Sequence, residues 1–378
     1  MKRITVISFS HLARDSRVNR QIRFLTSRYR VTACGLGDPE IPGVRFVSSR
    51  PAGRRTMGRS LISALQLLLG QFERYYRTYA NVPPCLRALS DVPADLVIAN
   101  DIEALPAALT AARGRPDLFD AHEYAPRQHE SRLVWRIFFQ RYKTYLCRAY
   151  IPRAARMITV CRGIADQYAR DTGVQPTVLT NAPDYEDLSP VFRSGRETRI
   201  RLVHHGAATP ARKIENMIDM MRCLDSRFEL DLVLVPGPKR YLEALRRRSR
   251  GDPRIRFLPP VPMRTLAAFL NQYDIGVCLF EPTTFNLLHA LPNKFFEFIQ
   301  ARLALAVGPS PEMAAIVREH DCGVVSRDFS PQLLGACLSR LDHTGINYYK
   351  RQSHAIAHDM SAGRNRQILL RMVEGMLA

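Results

Sequence analysis

The stretch "RIRLVHHGAATPARKIENMIDMMRCLDSRFELDLVLV", Arg199 to Val235, is the one whose reading decides the fold. An apolar run, RIRLVHHG, gives way to apolar residues at helical spacing in KIENMIDMMRCL, and a second apolar run, ELDLVLV, follows. Downstream come a helix around Tyr241 to Arg248, the strand RIRFL, a helix from Met263 to Gln272 and the strand DIGVCLF. Upstream the same alternation has already run once. "RITVISF" is an apolar strand, Asp15 to Arg28 has helical spacing, and "RVTACGL", "ADLVIAN" and "DLFDA" repeat the theme. Strands alternating with helices imply a parallel sheet covered on both faces, and the restart implies two of them. The expected class is α/β, with two facing doubly wound, Rossmann-like domains.

Length agrees, since 378 residues are too many for one ordinary core. The expected boundaries are an amino-terminal domain over 1–185, a linker over 186–198, a second domain over 199–350 and a helical segment over 351–378. The linker rests on "NAPDYEDLSPVFRSGRETR", Asn181 to Arg199, which is polar, carries two prolines and lacks periodicity. The amino end has too brief an apolar run for a signal peptide, and the most apolar window, "SLISALQLLLGQF" from Ser60 to Phe72, is shorter than a membrane span needs. A soluble, cytoplasmic protein is expected. The eight cysteines lie far apart, with no C-x-x-C pair, and read as small apolar residues in a reducing compartment.

The formal net charge is +20. Basic against acidic residues number 28 and 17 over 1–190, and 27 and 18 over the remainder, so the excess is dispersed. That excludes a basic tail and leaves nucleic acid, an anionic membrane surface or phosphate-rich ligands as partners. No recognition helix, zinc finger or stacked-aromatic motif accompanies the charge, which makes nucleic acid the weaker reading. "CGLG" at Cys34 to Gly37 lacks the third glycine and the helix of a dinucleotide fingerprint.

Doubly wound sheets bind ligands at the carboxyl ends of their strands, so the chemistry is sought in strand-to-helix loops. "HHGAATPARK", His204 to Lys213, is one such loop. Gly206 allows a tight turn, while Arg212 and Lys213 sit where a helix begins and oppose its dipole unless an anion lies between. A phosphate resolves that conflict; two solvated charges are the plain alternative. A second loop leads into "LPNKFFEFIQARLALAVG", Leu291 to Gly308. Pro292 suits a first turn and Asn293 can cap it. Glu297 lies at i+3 from Lys294, so one face carries a cation near the mouth and a carboxylate one turn deeper. These two either pair with each other or hold a ligand, the ammonium a phosphate oxygen and the carboxylate two ribose hydroxyls.

"LPNKFFEF" followed by "LALAVGPSPEM" resembles the donor-binding segment of the retaining glycosyltransferases of the two-domain B-type fold, in particular the large family 4. "DSRVNRQIRFL", "ADLVIANDIEALPAAL", "FDAHEY" and "VLTNAPDY" resemble its first loop and helix, its mid-domain strand, its His-Glu strand end and its entry to the linker, in that order. The resemblance implies a glycosyltransferase-B architecture and transfer of a sugar from a nucleotide-diphosphate sugar to a hydroxyl acceptor, with the anomeric configuration kept. It also implies that the helical segment 351–378 crosses back to the amino-terminal domain, and Gly363 near its middle is where a break is expected. It places Glu297 on the ribose, Lys294 and Arg212 on the diphosphate, His122 against the donor sugar, and the loop from Leu258 to Val261 at the base. Members often carry a second glutamate eight positions before Glu297; here that position is His289, so Asn286 or amides near Leu288 are expected to contact the sugar instead. The candidate catalytic residues are His122, Arg212 and Lys294. The candidate donor-binding set is Gly206, Arg212, Lys213, Val261, Asn286, Leu288, Lys294 and Glu297. A simple packing role for His122 at a strand end is the alternative.

No D-x-D triplet occurs, and side-chain cations are expected to neutralise the leaving diphosphate, with no metal and no cofactor beyond the nucleotide-sugar co-substrate. On the acceptor side, Asp15 and Arg17 either touch the acceptor or pair with one another, and Asp101 with Glu103 either faces the acceptor or caps a helix; Glu123 belongs to the same side by resemblance. Arg127 to Arg156 holds eight basic residues against one acid, with Val134, Phe138, Tyr142, Tyr145 and Ala149 along one helical side. Such a helix lies on an anionic bilayer or frames a core, and the first case makes a lipid-linked saccharide the natural acceptor. An epimerase of the same two-domain shape, or a basic nucleic-acid-binding protein, are the other functions weighed.

Overall fold

The computed structural model describes residues 1–51, 57–194 and 198–378. The chain forms two units: Met1–Thr180 together with Arg366–Ala378, and Asn181–Asn365.

In the first unit seven parallel strands run in the order β3-β2-β1-β4-β5-β6-β7. They are β1 (Arg3–Ser8), β2 (Arg30–Gly35), β3 (Arg45–Ser48), β4 (Leu96–Asn100), β5 (Asp117–Ala121), β6 (Arg156–Thr159) and β7 (Thr177–Val178). β4 and β5 are buried along their whole length and β1 along all but Arg3, as expected of strands covered on both faces. The chain winds one way from β1 to β3 and the other way from β4 onward, so its switch point lies where Ser8 sits beside Asn100. Ile4, Val6, Ile98 and Leu118 meet Val18, Ile22 and Leu25 of the helix Ser16–Thr26 in the core.

The second unit has six parallel strands in the order β10-β9-β8-β11-β12-β13. They are β8 (Ile200–Ala207), β9 (Phe228–Val235), β10 (Ile255–Leu258), β11 (Ile275–Cys278), β12 (Ala304–Val307) and β13 (Gly323–Val325). Here the switch point lies between β8 and β11. Met217, Ile218 and Met221 of the helix Glu215–Met221 pack on Leu202, Leu230 and Leu232. Gly276 leaves the room on β11 that the Phe298 ring occupies, so the helix Asn293–Gln300 lies close on the sheet.

Two parallel α/β domains are therefore present, with differences of detail. The first unit ends at Thr180 rather than 185, because the residues that follow are tied into the second unit. Glu186 donates its amide to Gln300 Oε1 at 3.1 Å, and the fully buried Arg302 donates to the Glu186 carbonyl at 2.5 Å. At the carboxyl end the helix His343–Ile356 stops before residues 357–361, and a new helix runs Ala362–Leu377. The break thus precedes Gly363, which sits in the first turn of the second helix. Leu369, Leu370 and Val373 of that helix are buried in the core of the first unit. Between 133 and 150 the expected continuous apolar side is interrupted. A π-helical turn, Arg136–Gln140, inserts extra residues and rotates the helix, leaving Val134 66% exposed while Tyr142 is buried.

Candidate functional site

The carboxyl end of β8 and the start of the helix Asn293–Gln300 bring together the groups expected to hold a donor. His204 is fully buried, and its Nδ1 lies 2.8 Å from the Val277 carbonyl. A carbonyl only accepts, so Nδ1 carries the proton and Nε2 is left with a lone pair. Lys294 Nζ donates to that Nε2 at 3.2 Å. Burial first, and Lys294 second, hold the imidazole far below its ordinary pKa, which keeps it neutral. The Lys294 ammonium and the Arg212 guanidinium both lie over the Phe280 ring, at 5.1 and 5.2 Å. Burial first, with the Arg212 charge adding to it, pushes Lys294 down to about 8. Burial also lowers the Arg212 pKa, and its Nη1 is buried with no hydrogen-bond partner among the described residues. Two desolvated cations share one ring without a carboxylate bonded to either. Such an arrangement costs stability unless an anion joins it.

Glu297 does not pair with Lys294. Its Oε2 lies 3.2 Å from Nε2 of His205, too poorly aligned for a hydrogen bond, and so the carboxylate keeps acceptor capacity. Gly206 stands between the two histidines and the loop with φ 123°, and a Cβ there would come within 2.8 Å of Lys294 Nζ. Only glycine lets this backbone pass the ammonium. Gly206→Ala is accordingly expected to displace Lys294 and weaken nucleoside diphosphate binding roughly tenfold or more, about 1.4 kcal/mol. Calorimetric titration with circular dichroism as the folding control measures it, and unchanged affinity contradicts it.

The remaining donor-side candidates belong to other loops and short helices of the second unit. Lys213 takes a left-handed conformation, φ 47°, between the short turn Pro210–Arg212 and the helix Glu215–Met221. Val261 lies half-buried in the loop after β10. Asn286 and Leu288 belong to the short helix Phe285–Leu288, which Thr284 caps through the Leu287 amide. Leu288 offers its carbonyl to Ser310 Oγ at 3.0 Å. His289 packs on Phe285 and meets Glu312 Oε1 at 3.0 Å, so a carboxylate does stand beside this position, supplied from another helix. His204, His205 and Phe280 were not singled out by sequence reasoning; the signal available was a pair of histidines immediately before the strand-end glycine.

In the first unit a polar chain crosses the switch point. Asp120 at the end of β5 is buried and accepts from Arg17 at 2.6 Å and from Gln21 Nε2 at 2.9 Å. Gln21 Oε1 accepts from Asn100 Nδ2 at 3.0 Å, which leaves Asn100 Oδ1 to accept from His122 Nε2 at 3.0 Å. His122 therefore presents Nδ1, 3.5 Å from Asp101 Oδ2. Asp101 has φ 65° at the end of β4, within the left-handed region. Arg17 and Asp15 do not pair. Asp15 caps the helix Ser16–Thr26 through the Val18 amide at 3.1 Å, and Ser10 Oγ donates to it at 2.7 Å. Nor does Asp101 or Glu103 cap the helix Leu105–Ala112, which has no side-chain cap; Glu103 pairs with Lys143. Glu123 accepts from Gln128, and burial with the Asp101 charge pushes its pKa up to about 7. Gln21, Asn100 and Asp120 are the members that sequence reasoning missed.

Over residues 19–187 the chain matches the sequence model of Glycosyltransferase Family 4. Among curated proteins no sequence match is found. Solved structures match over the whole chain. A sucrose-phosphate synthase from Thermosynechococcus elongatus aligns with a TM-score of 0.73 at 12% identity, covering 100% of this chain and 99% of its own. Anabaena HepE in complex with UDP-glucose gives 0.69 at 14% identity, covering 99% and 100%. WaaG, a glycosyltransferase involved in lipopolysaccharide biosynthesis, gives 0.65 at 14% identity, covering 97% and 99%. The fold is that of the B-type glycosyltransferases, and the resemblance read from the sequence holds for both the family segment and the architecture.

Proposed function

We propose that the protein is a B-type glycosyltransferase that moves a sugar from a nucleotide-diphosphate sugar to a hydroxyl acceptor, keeping the anomeric configuration and using no metal. The observation that carries this reading is the buried Lys294 and the half-buried Arg212, sharing Phe280 beside Glu297. A diphosphate supplies the missing anion, and the ribose of the same nucleotide supplies hydroxyls for the free acceptor positions of Glu297. Lys213, Val261, Asn286 and Leu288 are proposed to line the remainder of the donor, and His289 with Glu312 stands where the sugar hydroxyls are expected. In the reaction the bond from the anomeric carbon to the diphosphate oxygen breaks with its electron pair going to phosphate. Lys294 and Arg212 stabilise that growing charge in a dry setting, where the effect is large. The acceptor oxygen bonds to the same carbon from the leaving-group face, and its proton passes to the departing phosphate oxygen.

For the acceptor side, Asp15, Arg17, Asp101 and Glu123 are proposed with His122, in two roles. Arg17 and Asp15 hold the helix and Asp120 in place, whereas His122, Asp101 and Glu123 carry free polar edges. Activity assayed as nucleoside diphosphate release from a panel of nucleotide-sugars is expected to survive excess chelator, because two cations already neutralise the leaving group. Loss of turnover on chelation, restored by magnesium or manganese, overturns the metal-independent part. Release of no nucleotide from any sugar donor overturns the transferase reading itself.

A further inference from the structure

We infer that the first unit carries a docking surface for an anionic lipid bilayer, made by two neighbouring helices that leave their aliphatic side chains uncovered. The helix Met57–Leu68 buries only Ser63 and Leu67 deeply among its described side chains. Leu61 is 69% exposed, Ile62 59% and Leu65 56%, and Leu68 and Leu69 continue the row. Their i, i+4 and i+7 spacing sets Leu61, Leu65 and Leu68 on one stripe. This helix packs beside the π-helical turn Arg136–Gln140, which exposes Ile137, and just before it Leu133 and Val134 are each 66% exposed. Eight large aliphatic side chains thus remain uncovered on two adjoining elements. Isolated exposed leucines are ordinary; a contiguous set of this size marks an interaction surface.

Charge decides what covers it. Arg74, Arg77, Arg132, Arg136, Arg141 and Arg148 are all exposed on the same elements and the helix that follows each. Over residues 60–79 and 131–150 the acids number one, Glu73, and its Oε1 accepts from the hydroxyls of Tyr145 and Tyr150 at 2.6 and 2.5 Å. Next to this stands an open groove of about 630 Å³ lined by Phe72, Arg141, Tyr145 and Arg148, wide enough for a phosphate-bearing headgroup between two arginines and two rings. Aliphatic side chains flanked by arginines match the acyl layer and the anionic headgroups of a membrane surface. A second copy of the chain suits the surface poorly, since a two-fold contact would set these arginines against themselves. No described helix is long and apolar enough to cross a membrane, so the contact is one of lying on the surface.

The full chain is expected to sediment with vesicles of phosphatidylcholine containing one third phosphatidylglycerol, to stay in the supernatant when the vesicles are pure phosphatidylcholine, and to be released by high salt. Leu61→Asn with Leu65→Asn is expected to abolish sedimentation. Arg141→Glu with Arg148→Glu is expected to weaken it roughly tenfold or more, since each basic residue near an anionic surface contributes about fivefold. Arg246→Glu with Arg247→Glu, on the helix Lys239–Arg248 of the second unit, is expected to change it little. All four substituted positions of the patch are exposed, and melting temperatures close to the parent's verify folding. Absence of binding to the anionic vesicles overturns the inference, as does binding that both patch variants retain. A dimer in sedimentation velocity that Leu61→Asn with Leu65→Asn dissociates also overturns it, because the surface is then an interface between copies.

Discussion

Lys294→Met is expected to make the protein more stable and nearly unable to bind its donor. Lys294 is 7% exposed, and burial is the main cause that brings its pKa from 10.5 to about 8. A shift of that size corresponds to roughly 3 kcal/mol of unfavourable burial at neutral pH, at about 1.4 kcal/mol for each pKa unit. Because the folded-state value is the lower one, the penalty is complete below pH 8. It is relieved as pH rises from 8 toward 10.5, where the unfolded lysine also loses its proton. Methionine fills much of the same volume without the charge, so a gain of about 1–3 kcal/mol is expected at pH 7, shrinking as the pH approaches 10. Denaturant unfolding at several pH values measures it. The same substitution removes the charge-assisted bond proposed to the diphosphate, for which about 1.5–3 kcal/mol, or roughly 10- to 100-fold in affinity, is expected. Glu297→Gln is expected to weaken binding less, since the amide still accepts one ribose hydroxyl. In the parent, affinity for a nucleoside diphosphate is expected to fall as the pH passes above 8 and the ammonium of the free protein is lost. A variant that is less stable and binds donor normally contradicts the ligand role of Lys294.

Removing Arg366–Ala378 is expected to unfold or nearly unfold the first unit. Leu369 and Val373 are essentially inaccessible and Leu370 is buried, all within the core formed by β1, β4 and the helix Ser16–Thr26. Each such side chain contributes about 1.5–3 kcal/mol on burial, so the three together supply roughly 5 kcal/mol or more, comparable with the whole stability of many domains. Leu369→Ala is the milder version, with an expected loss of about 2–5 kcal/mol in chemical denaturation. A loss below about 0.5 kcal/mol, the range of ordinary surface substitutions, places the helix outside the core and contradicts the fold described.

Sequence periodicity located the strands whose apolar runs are long, such as β1, β8 and β9, because strands buried on both faces read as continuous hydrophobic stretches. It passed over β3, β6, β7, β12 and β13, which have four residues or fewer. A run that short cannot be told from part of a buried helix, and Ala304–Val307 follows the helix Asn293–Gln300 almost directly. Lys294, Glu297, Arg212 and Gly206 were legible because each breaks a local pattern, a charge in an apolar helix or a glycine at a strand end. Their partners were not. His204 reaches Lys294 across ninety positions, and Asp120 reaches Arg17 across more than a hundred, pairings that only the sheet topology creates. The end of the first unit at Thr180 was not legible for a similar reason. "APDYEDL" has the composition of a linker, yet the buried Arg302 and Gln300 hold its backbone.

Lys294, Arg212 and Glu297 are proposed to hold a nucleotide-diphosphate sugar. Hydrogen–deuterium exchange of the full chain with a panel of nucleotide-sugars, in the presence of chelator, tests it most directly. At least one donor is expected to slow exchange in 204–213 and in 293–300 together, and Lys294→Met is expected to lose that protection. If no nucleotide-sugar protects either segment, or if protection appears elsewhere and persists in Lys294→Met, the claim is contradicted.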